Sequence, residues 1–318
     1  MKLIVSGWGV FLGVKNGMIS IRNGESEREL SAGDAETVIV ATKGVSISSA
    51  FLRLAFQNNI DVVVLDSNGV PVGRFMPFMK KSNVRVRKEQ YKAQEDERGA
   101  FLARSFARGK IMNQYYLLKS MAKNRRRKDV LELCYKIKER AEKLDELDGF
   151  NRDEIIREEA KAAELYWEGI SEFYDFDRRK KRYDDPDDPI NIMLNYGYAV
   201  LMSHVWLAIE MTCLDPYAGF LHAENPKRPA LVVDLMEEFR QPVVDRAVFK
   251  VASEDYVEDG KLSYEGRKIL ISEIERRLNT KVTFENRKLP IDYHITLQAR
   301  RIERFLLGKG RYTPFIMR

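Results

Sequence analysis

With 318 residues, of which 44% are hydrophobic, the chain is long enough for two domains that each bury a core. Lys and Arg outnumber Asp and Glu by 54 to 48, and this formal charge of +6 is compatible with a polyanionic partner without requiring one. The only two cysteines, Cys134 and Cys213, form no CxxC pattern and no Cys/His cluster, which argues against a disulfide framework and a zinc site.

The first 80 or so residues contain short apolar runs separated by glycine turns, which is typical of β-strands. Too few apolar residues precede Gly7 for a secretion signal, so we expect a cytoplasmic protein. One helix is expected over Ser48–Asn58, where Ser48 can cap the first turn. The runs predicted as strands are Leu3–Val5, Val10–Leu12, Met18–Ile21, Val38–Ala41 and Val62–Leu65.

The composition becomes basic between Pro77 and Lys92, where Val84–Arg87 reads as a linker or a final strand. From there to about Leu307, apolar residues recur at three- and four-residue spacing, which predicts helices. The expected helical segments are Phe101–Met121, Val130–Leu147, Asp153–Tyr174, Ile190–Leu214, Leu231–Val251 and Ile269–Leu278. The sequence thus predicts an α+β fold, with a small amino-terminal β-rich domain (residues 1–82) followed by a larger all-α domain (residues 83–318).

Positive charge is concentrated in one part of the chain. Between Arg74 and Lys128 there are 17 Lys or Arg residues against four acids, so the rest of the chain is net acidic. Lys123–Lys128 and Arg178–Arg182 are candidates for phosphate binding, although a solvated loop would have the same composition.

The apolar segment Ile190–Leu214 contains several polar side chains and is expected to be a buried core helix, not a membrane span.

Glu159 interrupts the apolar face of the helix expected after Asp153. It follows Ile155 by four residues and precedes Ala162 by three, so its carboxylate should point toward the interior. Burying an unpaired charge is costly, and the carboxylate must therefore become neutral or find a cationic partner. That partner is either a Lys or Arg at the edge of the face or a divalent metal ion, and the pattern alone favours the first.

A second group of acids follows a loop that contains His222. Asp234, Glu237 and Glu238 are spaced i, i+3 and i+4, so on a helix their side chains would share one face and repel one another. A bound cation would relieve that repulsion, and His222 could complete a set of ligands suited to Mn²⁺ or Mg²⁺. The other interpretation is an ordinary solvated acidic face, which the pattern alone favours.

Several ordered blocks of sequence together resemble the CRISPR-associated protein one family, and the match spans almost the whole chain. The two most specific blocks are Leu214–His222 and Asp234–Arg240. The remaining blocks are Gly44–Ser49, Asn59–Leu65, Glu159–Ala163 with Tyr166, Asp188–Asn191 and Leu194–Tyr198.

This resemblance implies a DNA endonuclease and integrase that inserts new spacers into a CRISPR array as part of prokaryotic antiviral defence. It implies that Glu159, His222 and Glu237 bind Mn²⁺ or Mg²⁺ and carry out catalysis, with Asp234 as an acid beside the site and a further candidate ligand. It also implies that the helical domain is catalytic and that the β domains pair in a homodimer. A second implied partner is the small CRISPR-associated protein two, which bridges two such dimers.

DNA is the substrate that the resemblance implies, as prespacer and CRISPR repeat and including branched forms. Attack on a phosphodiester by a DNA 3′-hydroxyl gives strand transfer, whereas attack by water gives cleavage. Two other functions stay open: a non-catalytic DNA-binding scaffold, and a nuclease for repair junctions that differs only in its substrate. The candidate phosphate contacts are Lys227, Arg228, Arg240, Arg246, Arg178 and Arg179.

Overall fold

The computed structural model describes residues 2–5, 7–35, 37–65, 71–77, 84–147, 151–176, 179–180, 184, 188–222, 228–258 and 260–318. The chain divides into two compact units, residues 1–82 and 83–318. The first unit is rich in strands and the second is mainly helical, which confirms the predicted α+β fold class.

In its described residues the first unit contains eight strands, one α-helix and a short 3₁₀ helix, and each of the predicted strands forms. Helix α1 (Ser49–Gln57) begins as expected, because the Ser48 hydroxyl accepts a hydrogen bond of 3.1 Å from the Phe51 N–H. The strands are β1 (Lys2–Val5), β2 (Val10–Lys15), β3 (Met18–Asn23), β4 (Ser26–Leu30), β5 (Thr37–Val40), β6 (Val45–Ile47), β7 (Asp61–Leu65) and β8 (Pro71–Phe75).

These strands form two mixed sheets. One has the order β1-β5-β7-β8, with parallel pairing except between β7 and β8. The other has the order β4-β3-β2-β6, with parallel pairing only between β2 and β6. Apolar side chains from both sheets and from α1 share one core, which includes Leu12, Ile19, Val38, Phe51 and Val62. Burial of these side chains is the main force that stabilises this unit.

The second unit is built from nine helices in the described residues, together with two short hairpins that the sequence did not predict. The hairpins are β9 (Val257–Glu258) with β10 (Lys261–Leu262), and β11 (Lys281–Phe284) with β12 (Arg287–Pro290). The helices are α2 (Val84–Ala93), α3 (Glu97–Asn124), α4 (Lys128–Asp145), α5 (Arg152–Ser171), α6 (Pro189–Glu210), α7 (Ala230–Met236), α8 (Arg246–Val251), α9 (Tyr264–Leu278) and α10 (Ile291–Leu306).

The segment Val84–Arg87 is helical, so its interpretation as a linker or strand was wrong. It opens α2, whose buried side chains are Val86, Gln90 and Ala93, at spacings of four and three residues. Those spacings place them on one face of a helix, and the Lys, Arg, Gln and Glu residues between them have good helix propensity. Two valines alternating with arginines were too short a pattern to distinguish the two structures.

The helix expected over Leu231–Val251 is interrupted near Pro242. Helix α7 ends at Met236, a turn follows, and Arg240–Asp245 form a π-helical turn before α8 begins. Pro242 has no N–H to donate, so it breaks the regular hydrogen-bond ladder of a helix. Interruptions of this kind occur often at functional sites, and this one places Glu237 at the carboxyl end of α7.

Helix α6 (Pro189–Glu210) is, by length and composition, the one helix in the described residues that could cross a membrane. However, 72% of its apolar window is buried inside the protein, which is typical of a core helix.

Candidate metal centre

The three predicted metal ligands come from three separate parts of the second unit. Glu159 lies in α5, His222 lies in the loop before α7, and Glu237 follows the last residue of α7. Glu237 is almost fully buried, whereas the side chains of Glu159 and His222 are 18% and 30% exposed. The site therefore opens to solvent on the side of Glu159 and His222.

Lys110 in α3 brings the two glutamates together. Its Nζ atom contacts Glu159 Oε1 and lies 2.9 Å from Glu237 Oε2. Of the two alternatives for Glu159, the structure shows the first, because its carboxylate points inward as expected and its partner is a lysine. A single cationic group already bridges the two carboxylates.

A close approach of α3 to the chain after α7 makes this bridge possible. A Cβ atom added at Gly109 would lie 2.9 Å from Glu238 Cγ and 3.2 Å from Pro314 Cβ. A larger side chain at position 109 would therefore push α3 away from the acidic segment.

Asp234 holds the His222 loop against α7. Its Oδ2 accepts hydrogen bonds from the Phe220 N–H at 2.6 Å and the Leu221 N–H at 2.9 Å. Its Oδ1 accepts one from the His222 N–H at 2.9 Å and lies 2.7 Å from His222 Nδ1. Both carboxylate oxygens of Asp234 are therefore occupied, and the side chain is fully buried.

The same contact fixes the tautomer of His222. Because Asp234 acts as an acceptor, the 2.7 Å contact assigns the ring proton to Nδ1 and leaves the lone pair of Nε2 available. Nε2 lies 4.0 Å from Glu237 Oε1. A carboxylate that orients an imidazole in this way is a common support for a metal-binding histidine.

The donor set suits a divalent cation of the Mn²⁺ or Mg²⁺ type, because it combines two carboxylates with one imidazole. Glu237 Oε2 is buried and accepts no hydrogen bond of regular geometry. Within the described residues, no three His, Cys, Asp or Glu side chains already stand at the spacing of a complete metal-binding group. The residues fit such an ion chemically, provided that the ammonium group of Lys110 gives way.

The ion pairs keep these groups charged. Burial alone would raise the pKa of Glu237, but the positive charges of Arg240 and Lys110 outweigh it and hold the pKa well below its usual value. Burial likewise opposes the charged form of Lys110, yet Glu159 and Glu237 raise the pKa of its ammonium group. Glu237 and Lys110 are therefore both charged near neutral pH.

Two arginines flank Tyr198 beside this cluster. The Arg240 guanidinium lies 4.7 Å from the centre of the Tyr198 ring and 2.9 Å from Glu237 Oε1, and its buried Nε has no hydrogen-bond partner. The Arg179 guanidinium lies 5.4 Å from the same ring. Burial, with the positive charge of Arg240 as a further cause, lowers the pKa of Arg179. An anion such as a DNA phosphate would relieve the repulsion between these guanidinium groups.

Asp245, in the π-helical turn, fixes the position of Tyr198. Its two carboxylate oxygens accept hydrogen bonds of 2.7 Å from the hydroxyls of Tyr166 and Tyr198. Asp245 is fully buried, and burial raises its pKa although both tyrosine hydroxyls oppose that effect. These hydrogen bonds hold the Tyr198 ring in the position where Arg179 and Arg240 stack on it.

The structure describes two of the remaining predicted phosphate contacts, and neither forms an ion pair with Glu159 or Glu237. Arg246 is partly buried near Tyr166 and Asp245, and burial lowers its pKa. Arg228 is exposed two residues before α7. Lys227 and Arg178 lie outside the described residues.

The sequence interpretation missed Lys110, Tyr198 and Asp245. A signal for Lys110 was present, because a lysine in the middle of the apolar pattern of Phe101–Met121 is the same kind of anomaly as Glu159. Asp245 carried no signal of its own, because its burial depends on the π-helical turn.

A solvated acidic face does not form, so that interpretation was wrong. Asp234, Glu237 and Glu238 are all buried, and Glu238 points away from the metal-ligand candidates. Its carboxylate accepts hydrogen bonds from the Tyr312 hydroxyl at 2.6 Å, the Phe315 N–H at 2.8 Å and Gln298 Nε2 at 2.8 Å. Glu238 therefore anchors the segment after α10 and is not a candidate metal ligand.

Asn113 in α3 completes this anchor. Its Nδ2 donates to the carbonyl oxygens of Glu238 at 2.8 Å and Phe315 at 2.9 Å, and its Oδ1 accepts from the Met317 N–H at 2.8 Å. The segment after α10 is thus bonded to the residue next to Glu237.

Burial raises the pKa of Glu238 to about 7, from 4.5 in an exposed chain. Between these values the folded protein holds a proton that the unfolded chain has lost, so the free energy of unfolding falls as pH rises, by ~1.4 kcal/mol per pH unit. Glu238→Gln removes this dependence. Urea unfolding at about pH 5 and about pH 8 should show the variant gaining roughly 3 kcal/mol relative to wild type at the higher pH. Exposed Glu139→Gln is the control, and an equal difference at both pH values would contradict the assignment.

The chain is similar to known proteins over its whole length. The family described as CRISPR associated protein Cas1 matches residues 3–282. A protein named CRISPR-associated endonuclease Cas1 1 from Archaeoglobus fulgidus is 36% identical, with 100% of both chains covered. CRISPR-associated endonuclease Cas1 from Korarchaeum cryptofilum is 33% identical and covers 99% of this chain and 97% of its own.

Solved structures of similar fold include proteins of the same kind. A casposase bound to an integration product has a TM-score of 0.79 and 27% identity, and the match covers 99% of this chain and 92% of that one. A Cas1 protein from Thermotoga maritima shares the fold, with a TM-score of 0.73 and 20% identity over 98% of this chain and 99% of its own. The chain therefore belongs to the CRISPR-associated protein Cas1 family.

Proposed function

We propose that this chain is a metal-dependent DNA endonuclease and integrase that inserts new spacers into a CRISPR array. The observation that carries the proposal is the convergence of Glu159 and Glu237 on one cation, with His222 oriented by Asp234 so that its Nε2 lies 4.0 Å from Glu237 Oε1. Membership in a family whose relatives are named endonucleases supports it. The likeness to a casposase bound to an integration product supports the integrase part.

Glu159, His222 and Glu237 would hold Mn²⁺ or Mg²⁺. When bound, such an ion supplies Lewis-acid polarisation of a phosphodiester and stabilises charge on its oxygens. Asp234 accepts a hydrogen bond from His222 Nδ1, which selects the tautomer with its lone pair on Nε2 and orients the ring. Its part is to position His222, since both of its oxygens already accept hydrogen bonds.

Arg240 and Arg179 would bind phosphate oxygens of the DNA. Their guanidinium groups stack against Tyr198 beside the glutamates, where they can fix the backbone without reading base sequence. With a DNA 3′-hydroxyl as the attacking group the product is a joined strand, and with water it is a cut strand. The substrates proposed are prespacer and CRISPR repeat DNA, including branched forms. The partners proposed from family membership are a second copy of the chain and the small protein Cas2.

A strand-transfer assay tests this function. Wild-type protein is incubated with Mn²⁺, a CRISPR repeat target and a prespacer that ends in either a 3′-hydroxyl or a 3′-deoxy nucleotide. We expect joined products only with the 3′-hydroxyl, cleavage with both, and neither after EDTA is added.

The outcomes distinguish the alternatives. DNA retention with no metal-dependent product would favour a DNA-binding scaffold. Cleavage of Holliday-type junctions with no joining to repeat DNA would favour a repair nuclease.

A further inference from the structure

Lys110 is a charged residue in the interior of a buried helix. Residues 105–107 and 111–115 of α3 are buried on either side of it, and the Lys110 side chain is only 13% exposed. Removing an ammonium group from water is costly unless fixed anions compensate for it. The two glutamates are those anions, so the position of Lys110 depends on the candidate metal ligands.

The ammonium group occupies the place at which a divalent ion would have to bind. Nζ contacts Glu159 Oε1 and Glu237 Oε2, the two carboxylates that a bridging ion would also need. In the described part of the chain, Lys110 is the one residue within ion-pair distance of both glutamates.

The ion-paired group around Lys110 is balanced without any further cation. Glu159 and Glu237 contribute two negative charges to it, and Lys110 and Arg240 contribute two positive charges. A divalent ion would add two positive charges beside Lys110 and Arg240 in a largely buried site, where repulsion between cations is much stronger than in water. Arg240 is held by its stacking on Tyr198, whereas Lys110 has a flexible stem of four carbons that allows it to move.

We propose that Lys110 is a positioning residue that holds Glu159 and Glu237 together and that its ammonium group competes with the divalent ion for these two carboxylates. Metal binding is then an exchange of one cation for another. The exchange sets a threshold of metal concentration below which the two glutamates stay paired with Lys110. This inference rests on the proposed function, because it requires that a divalent ion bind to Glu159 and Glu237.

Mn²⁺ titrations of the full-length protein test the exchange. Lys110→Met keeps most of the stem and removes the charge, so we expect it to bind Mn²⁺ with a Kd about tenfold lower than wild type. Lys110→Arg should raise the Kd, because a guanidinium group binds carboxylates in a bidentate manner and is harder to displace. The free Mn²⁺ signal in electron paramagnetic resonance gives both values without reference to activity.

Lys161→Met is the matched control. Lys161 lies in α5, two residues after Glu159, and pairs at 2.7 Å with Glu158, so its removal should leave the Kd unchanged. Thermal unfolding provides a second measurement, in which Mn²⁺ should raise the Tm of Lys110→Met more than that of wild type.

The results separate two kinds of failure. If wild type binds Mn²⁺ through Glu159 but Lys110→Met binds no more tightly, the exchange is wrong and the proposed function is unaffected. If neither wild type nor Lys110→Met binds Mn²⁺, both are wrong. Should Lys110→Met fail to fold, a Kd for Lys110→Arg equal to or below that of wild type would overturn the exchange.

Discussion

Glu159→Ala should lower the rate of Mn²⁺-dependent cleavage and strand transfer by roughly 1,000-fold or more. The substitution removes one of two anionic ligands and leaves Lys110 to pair with Glu237 alone, which weakens the hold of the site on a divalent ion. Arg240 and Arg179 are unaffected, so DNA retention should persist. Initial rates of nicking at saturating Mn²⁺, together with gel-shift titrations, measure the two effects separately.

Glu158→Gln is the control for this variant. Glu158 is the adjacent glutamate in α5, but its carboxylate pairs with Arg140 at 3.2 Å and Lys161 at 2.7 Å, away from the cluster. We expect near wild-type rates from it, because its ion pairs join neither Glu159 nor Glu237. Undiminished cleavage by Glu159→Ala would remove the basis of the metal-site assignment.

Asp234→Asn should lower Mn²⁺ affinity and cleavage by about 10–100-fold, although the change adds or removes no bulk. An amide can accept hydrogen bonds at only one of its two ends. If the NH₂ group faces His222, it donates to Nδ1 and forces the ring proton onto Nε2, which can then no longer bind a cation. If it faces the loop, the buried N–H groups of Phe220 and Leu221 lose their acceptor and the free energy of unfolding falls by about 1–3 kcal/mol per group.

A double-mutant cycle with His222→Ala shows whether Asp234 acts through the imidazole. If it does, the double variant should lose no more activity than His222→Ala alone. Additive losses would mean that Asp234 contributes independently, as a metal ligand would. Urea unfolding of each variant distinguishes a change in the site from a loss of folded protein.

The sequence predicted the strands that are stabilised by burial of their own apolar side chains. The five predicted strands are rich in Val, Ile, Leu, Met and Phe, and each forms. Strand β4 was missed because Ser26–Leu30 is polar and largely exposed at a sheet edge, where pairing with β3 and not burial defines it. Helix α2 was missed for the same kind of reason, since its basic composition conceals a short buried face.

The candidate site was predictable in part. Glu159 could be recognised from its place on an apolar face, and its direction toward the interior is confirmed by its contact with Lys110. The separate directions of Asp234, Glu237 and Glu238 could not be derived, because helical spacing places them on one face. In the structure α7 ends at Met236, and the turn that follows sends Glu237 and Glu238 to different partners. The spacing of residues in the sequence does not show that the helix ends at Met236.

The bonds between Asn113 and the segment Phe315–Met317 have a practical consequence for anyone handling this protein. Phe315 is fully buried, and its N–H is bonded to Glu238, the neighbour of Glu237. A purification tag or fluorescent fusion joined directly after Arg318 would begin two residues beyond Met317, whose own N–H is bonded to Asn113. Strain introduced by such a fusion would reach the acidic residues through two hydrogen bonds, so a flexible spacer is needed before activities of tagged protein are compared.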